Sequence, residues 1–293
     1  MNWLARHSER FSLQVQNREF AGKTVEMPWR IKPLGELILL VRVLERHGME
    51  GAALAKLRTA ALSYAQDFDW HLLGAFDASA ASPLAMVLEF FEAHGVDGTL
   101  ERDYVSQLSS FGYFEGMDRI PYRSMDVIYS LGTVGFGPGP EAFMKQFTLT
   151  SYGKTQLIPR FSFDDMYSLT HAVFYITDFG HDRIEDKLNR GEVARLRVTL
   201  ARLIAVLLRA DNRDILGELL LCWIFCRFPV EGYEQPLIDR AFARIDSLRC
   251  SGGAVAPTEE AFADERAEPG QFRKLYHTTL VAAMLYGLWS KER

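Results

Sequence analysis

The sequence predicts an all-α fold, an α/α-toroid-like array of about a dozen antiparallel helices. Three observations carry this. Apolar residues recur at helical spacing along most of the chain, with no run of strand-like alternation. The links between these segments are short and rich in Gly, Pro and Ser, which favours antiparallel neighbours. Several segments, GELLLCWIF and TLVAAMLYGLW among them, are apolar on more than one side, as inner helices of a closed ring would be.

Residues 1–30 carry Trp3, Phe11, Phe20 and Trp29 among charges without a clear period and read as an N-terminal extension, a short helix followed by a loop. A single helical domain is expected over residues 31–293. Pro33 suits a first helical turn, and LGELILLVRVLERHG runs from there to Gly48. GAALAKLRTAALSYAQDF, WHLLGAFDAS and PLAMVLEFFEAHG follow, the last opened by Ser82 and Pro83. Two more helices are expected over Thr99–Ser110 and Tyr122–Leu131.

From Gly132 to Arg160 the pattern changes to a long connection with one short helical piece and a small hairpin around Tyr152 and Gly153, the kind of segment that often forms a lid. Gly135, Gly137 and Gly139 lack a preceding strand and a following Lys, so they do not make a phosphate loop. Helices GEVARLRVTLARLIAVLLRA, NRDILGELLLCWIFCRF and EQPLIDRAFARIDSL come next, then a loop-like SGGAVAPTEEAFADERAEPG, and FRKLYHTTLVAAMLYGLW closes the chain. No repeat of fixed period appears.

The segment with the densest chemistry is SFDDMYSLTHAVFYITDFG, residues 162–180. At about 100° per residue, Asp164, Tyr167, His171, Tyr175 and Asp178 fall on one stripe, with Met166, Leu169, Val173 and Ile176 opposite. Ser162 with Asp165 reads as a capping box, and Gly180 as the stop. Glu218 sits in an apolar helix, sharing a stripe with Leu221, Cys222 and Phe225, and His277 shares one with Val281, Met284 and Leu288. A buried carboxylate needs a partner, and His171 and His277 are the available imidazoles.

The functional expectation is that His171, Asp178, Glu218 and His277 meet in one cavity as catalytic acid–base groups, since burial and charged neighbours move such groups toward neutrality. The same four residues, if a metal is present, would hold a divalent ion such as zinc or iron, although no HExxH spacing accompanies them. Tyr167, Tyr175, Arg123 and Tyr129 are the substrate-binding candidates. Arg119, Arg123, Asp126 and Tyr129 lie together in RIPYRSMDVIYSLG, where the arginines suit a carboxylate or phosphate but equally a solvated helix start. Asp211 and Asp214 read as helix caps. The other reading of all these groups is a set of hydrogen-bonded polar residues that lock helices together.

The adjacent Asp164 and Asp165 invite comparison with the aspartate-rich metal motif of class I terpene synthases. DDMYS lacks the later carboxylate, and the helix dipole accounts for the pair.

Composition bounds the function further. With 48% hydrophobic and 12% aromatic residues among 293, a large core is expected and disorder is not. A net charge of −5, with Lys and Arg scattered among acids, argues against nucleic acid or anionic membrane as partners. The odd count of three cysteines argues against a disulfide framework, and Cys222 and Cys226 read as buried thiols. With no signal-like or spanning apolar run, the expected location is the cytoplasm.

The stretches THAVFYITDFG, RDILGELLLCW and YHTTLVAAM resemble the signatures of an uncharacterised bacterial all-helical family associated with natural-product biosynthetic clusters. The resemblance spans roughly residues 30–290 and is strongest at Thr170, His171, Thr177, Asp178, Gly180, Glu218, His277 and Thr278. It implies a specialised-metabolism setting and no particular reaction. The leading expectation is therefore an enzyme acting on a small organic metabolite by His/carboxylate acid–base or metal-assisted chemistry. The alternative is a non-catalytic small-molecule-binding or scaffold protein.

Overall fold

A computed structural model describes residues 1–13, 15–20, 23–28, 31–68, 70, 81–116, 118–153, 161–267 and 271–292. The expected helix WHLLGAFDAS lies almost entirely outside the described residues. The fold class is all-α, with thirteen α-helices among the described residues: α1 Asn2–Arg6, α2 Lys32–Arg46, α3 Ala52–Gln66, α4 Ala81–Ala93, α5 Thr99–Ser110, α6 Pro121–Thr133, α7 Pro140–Leu149, α8 Phe163–Ile176, α9 Arg190–Leu207, α10 Arg213–Phe225, α11 Glu234–Asp246, α12 Glu259–Ala267 and α13 Phe272–Glu292.

Two sequence expectations are corrected, and a third is described only in part. The loop expected after the first short helix is an antiparallel hairpin, β1 Val15–Phe20 with β2 Lys23–Pro28, in which Val15 pairs with Pro28 and Phe20 with Lys23. Of the expected hairpin around Tyr152 and Gly153, the described part is a 3-10 turn over residues 151–153, closed by the Gly153 amide donating to the Thr150 carbonyl at 3.1 Å, and its second side lies outside the described residues. The loop-like stretch before the last helix contains α12, because Glu259 and Glu260 place negative charge at a helix N-terminus.

Helix contacts define where the centre lies. α2 packs on α4, α4 on α6, α6 on α8, α8 on α10, α10 on α13, and α13 back on α2, so six helices close a ring of contacts. α3 packs on α2, α5 on α4, α7 on α6 and α9 on α10, each an outer partner of a ring helix. α1 rests on α3 and α13, with Trp3 stacked on Phe272 at 5.7 Å and Phe11 edge-on to it at 5.0 Å.

Local sequence explains how the ring helices start and stop. Pro33 and Pro121 open α2 and α6, where a missing amide hydrogen costs nothing. α8 has the expected capping box, with the Asp165 amide donating to Ser162 Oγ at 3.1 Å and the Ser162 amide to Asp165 Oδ2 at 3.1 Å. α10 is buried along its whole length. It approaches α13 closely because position 217 has no side chain: a Cβ there would lie 2.7 Å from Val281 Cγ1.

On the other ring helices a line of partly accessible residues interrupts the burial. They are Glu36 and Leu39 on α2, Met86 and Glu89 on α4, Tyr122, Asp126 and Tyr129 on α6, Tyr167, His171 and Tyr175 on α8, and His277 on α13. Several of these touch one another across the ring: Glu36 with His277, Tyr122 with His171, and Tyr129 with Tyr175. These partly accessible residues of neighbouring ring helices therefore lie close to one another.

Candidate functional site

His277, near the start of α13, is held between two other ring helices. Its Nδ1 lies 3.0 Å from Glu36 Oε1 of α2, and its Nε2 lies 3.3 Å from Asp214 Oδ2 and 3.8 Å from Glu218 Oε1, both of α10. Burial alone would lower the pKa of this imidazole. The negative charge of Glu36 and the nearby carboxylates of Asp214 and Glu218 outweigh it and hold the pKa well above its ordinary value.

Asp214 also accepts from the Tyr167 hydroxyl at 2.5 Å and the Thr278 hydroxyl at 3.0 Å. Burial pushes its carboxyl up, but His277, Tyr167 and Thr278 together bring it below the usual range. Burial, with the same carboxylate, raises the Tyr167 phenol, so that phenol remains a donor at neutral pH.

Glu218, almost fully buried, joins the two histidines. Its Oε2 accepts from Thr170 Oγ1 at 2.6 Å and lies 3.8 Å from His171 Nδ1, while its other oxygen faces His277. His171 Nδ1 also lies 2.9 Å from the Tyr167 carbonyl oxygen. A carbonyl can only accept, so Nδ1 carries a hydrogen, and in the neutral ring Nε2 holds the lone pair. The ring is walled by Tyr122 at 5.6 Å, Phe174 at 5.7 Å, Tyr167 at 5.9 Å and Tyr175 at 6.3 Å between centroids. A quarter of the His171 side chain stays accessible.

Beyond His171 stands Asp126 of α6, beside Ser82 and Tyr175. Burial raises its carboxyl pKa, and the nearby Arg123 and His171 only partly offset that. Burial and Asp126 together push the Tyr175 phenol well up. The Arg123 guanidinium lies over the Tyr122 ring at 5.1 Å.

The structure thus brings His171, Glu218 and His277 together, with Tyr167 bonded into the group and Tyr175 and Arg123 beside it. Asp178 is not among them, which corrects the expected four-residue convergence. α8 ends at Ile176, two residues before Asp178, and the chain turns there: the Phe179 amide donates back to the Phe174 carbonyl at 2.8 Å and the Asp178 amide to the Tyr175 carbonyl at 3.2 Å. Asp178 takes the left-handed conformation, φ 45°, and its carboxylate leaves the α8 stripe.

It is instead clamped by α2. Arg46 donates through Nη1 at 2.8 Å and Nη2 at 2.5 Å, Arg42 Nη2 lies at 3.4 Å, and the Tyr129 hydroxyl also donates to it. Arg42 is nearly fully buried and donates in addition to Glu89 at 2.6 Å. Tyr129 is therefore a partner of this clamp, separate from the histidine pair.

The metal expectation is corrected in the same way. Among the described residues, the set whose ligand atoms lie within 4.8 Å of one another is Asp214, Glu218 and His277. The expectation that Asp211 and Asp214 cap α10 is corrected too: Asn212 caps it, accepting from the Ile215 amide at 3.0 Å, while Asp211 accepts from the Glu259 amide and pairs with Arg213. Asp214 and Glu36 were the residues sequence reasoning did not place in the site. Glu36 carries the signal that singled out Glu218, a lone acid in the apolar run LGELILL. The three cysteines are free and buried, and burial raises all three thiols. No helix of the described residues is long and apolar enough to cross a membrane.

A family model described as Domain of unknown function (DUF6895) matches residues 1–286. No curated protein and no solved structure matches the chain.

Proposed function

Since the chain belongs to the DUF6895 family over nearly its whole length, a family whose description names no activity, we propose a function from the site itself: an enzyme that moves a proton on a small organic molecule held at the centre of the helix ring. We read the ring of contacts as an α/α toroid and its partly accessible inner faces as the wall of the substrate space. The observation that carries the reading is the pinning of His171. Its Nδ1 is fixed on the Tyr167 carbonyl at 2.9 Å with Glu218 behind it at 3.8 Å, and Nε2 is the atom left to take or give a proton. Here the Tyr167 carbonyl orients the imidazole, and the buried Glu218 carboxylate stabilises by its charge the imidazolium that the ring becomes.

Tyr122, Phe174 and Tyr175 offer flat apolar faces to a substrate, with Arg123 at the edge for an anionic group. We read that wall as suited to a planar organic acid; the resemblance of THAVFYITDFG, RDILGELLLCW and YHTTLVAAM supports a setting in specialised, natural-product metabolism, the lack of a signal-like apolar run supports the cytoplasm, and the scattered charge speaks against nucleic acid or membrane as partner. The alternative, a non-catalytic binding or scaffold protein, draws on the satisfaction of Asp214 and Glu218 by neighbouring helices.

A thermal-shift screen of planar carboxylic acids identifies ligands, and conversion of the hits is then followed by mass spectrometry. His171→Gln is expected to slow conversion by about 10²–10⁴-fold with its melting temperature preserved. A variant that converts hits at the wild-type rate overturns the role of His171, and hits bound but never converted favour the scaffold reading.

A further inference from the structure

One imidazole nitrogen in this protein faces two buried carboxylates. His277 Nε2 lies 3.3 Å from Asp214 Oδ2 and 3.8 Å from Glu218 Oε1, and it can carry at most one hydrogen. That hydrogen reaches Asp214 and leaves the Glu218 contact too long for a hydrogen bond. Both carboxylates are almost fully buried, so their mutual repulsion is poorly screened. Their other donors are hydroxyls, Thr170 on Glu218 and Thr278 and Tyr167 on Asp214, which bring no positive charge.

On the far side of the ring, Nδ1 lies 3.0 Å from Glu36 Oε1 but meets no acceptor at hydrogen-bonding angles, and Glu36 Oε2 is buried with no partner. The exposed Lys32 ammonium stands 3.4 Å from the same Glu36 Oε1.

We propose that Asp214, Glu218 and His277 form a binding site for one divalent first-row transition ion, with Glu36 as the outer carboxylate that fixes the imidazole. A cation set among Asp214 Oδ2, Glu218 Oε1 and His277 Nε2 meets all three atoms, with Asp214 Oδ2 keeping the Tyr167 hydroxyl as a second partner, whereas the single proton on Nε2 cannot reach both carboxylates. Two carboxylate oxygens and one imidazole nitrogen suit zinc or manganese better than a thiolate-preferring ion. On binding, the proton on Nε2 leaves to solvent, the remaining one on Nδ1 turns to Glu36, and the carboxylate–histidine–metal arrangement found at many metal centres results. The three ligands come from one turn of α10 (positions 214 and 218) and from α13, whose close packing at Gly217 brings His277 over that turn. The inference goes beyond the proton-transfer reading and does not depend on it: an ion here would be bound whether or not His171 turns anything over.

The full chain is stripped with a chelator, and zinc or manganese chloride is titrated while elemental analysis follows stoichiometry and a thermal melt follows stability. One equivalent of ion retained after desalting, with a higher melting temperature than the stripped protein, is expected. Asp214→Asn and His277→Gln should abolish retention, and Glu36→Gln should weaken it about 10–100-fold. His171→Gln should leave it unchanged. A stripped wild-type protein that takes up neither ion, or one whose uptake survives both Asp214→Asn and His277→Gln, overturns the proposal. Should those two variants fail to fold, the wild-type titration alone decides it. Loss of conversion in His171→Gln with full metal retention would separate this site from the reaction.

Discussion

Replacing Asp178 with Asn tests the α2 clamp. The substitution keeps the size of the side chain and one accepting oxygen, and Asn tolerates the left-handed backbone at φ 45°. What it removes is the charge that holds Arg46 at 2.8 and 2.5 Å and Arg42 at 3.4 Å. An exposed ion pair is worth about 0–1 kcal/mol, and breaking a buried one costs about 3–5 kcal/mol. This cluster lies between, since Asp178 is 21% and Arg46 30% exposed while Arg42 is only 6%. Arg42 keeps Glu89, so it is not left bare. The expected loss is about 2 kcal/mol. With an unfolding entropy of about 2.1 cal/mol/K per residue over 293 residues, that lowers the melting temperature by roughly 3 °C. Asp178→Ala should lose about 1 kcal/mol more, because alanine pays for the left-handed conformation.

The pH dependence has a definite sign. Burial works against the charge, but Arg46, Tyr129 and Arg42 hold the Asp178 carboxyl below its ordinary value. A depressed carboxyl contributes stability that is fully present above its unfolded pKa of about 3.9 and is lost as pH falls through the lower folded value. The gap in melting temperature between wild type and Asp178→Asn should therefore be constant near neutrality and close below about pH 4. Thermal melts followed by circular dichroism across that range read it. A gap under about 1 °C at pH 7, or one that widens in acid, refutes the reasoning.

Gly180→Ala should destabilise by about 1 kcal/mol from its left-handed φ of 85° and by about 1–3 kcal/mol more because a Cβ would lie 2.8 Å from Phe225 Cδ1; a loss of only about 1 kcal/mol would show that Phe225 gives way, and an unchanged melt would refute both terms. Thr170→Val keeps the shape of a fully buried side chain but removes the hydroxyl that donates to Glu218 at 2.6 Å, so about 1–3 kcal/mol should be lost. Cys222 and Cys226, in α10 and at its end, should react slowly with a thiol reagent in the native protein and completely after denaturation; fast native labelling of either would mean that the α10 core opens.

α10 shows which parts of the site a sequence can carry. Its composition announces burial on every side, and a glutamate inside such a helix announces a partner, so Glu218 and the histidine that meets it were legible from burial cost alone. Helix periodicity likewise placed His171 and Tyr167 on one face. It failed at Asp178 because a stripe presumes that the helix continues. Gly180 marked the end of the turn, whereas the helix itself stopped at Ile176 and the two residues after Thr177 took left-handed geometry. The N-terminal hairpin was hidden for a different reason: in VQNREF the apolar residues fall at the two ends, so strand alternation has nothing to show.

Asp214 is the most instructive case. Asp211, Asn212 and Asp214 are all residue types that end helices, and composition cannot rank them. Only one can sit where the side chain reaches the amide three residues on, and Asn212 does so through Ile215. Once that position is filled, Asp211 lies outside the helix and turns to the Glu259 amide, and Asp214 lies inside its first turn. An acid at that position gains from the helix dipole whichever way it points. It is free to face the ring interior, four residues and one turn from Glu218, and the two carboxylates then meet the same imidazole. The choice of cap thus decides how many carboxylates reach the centre of this protein.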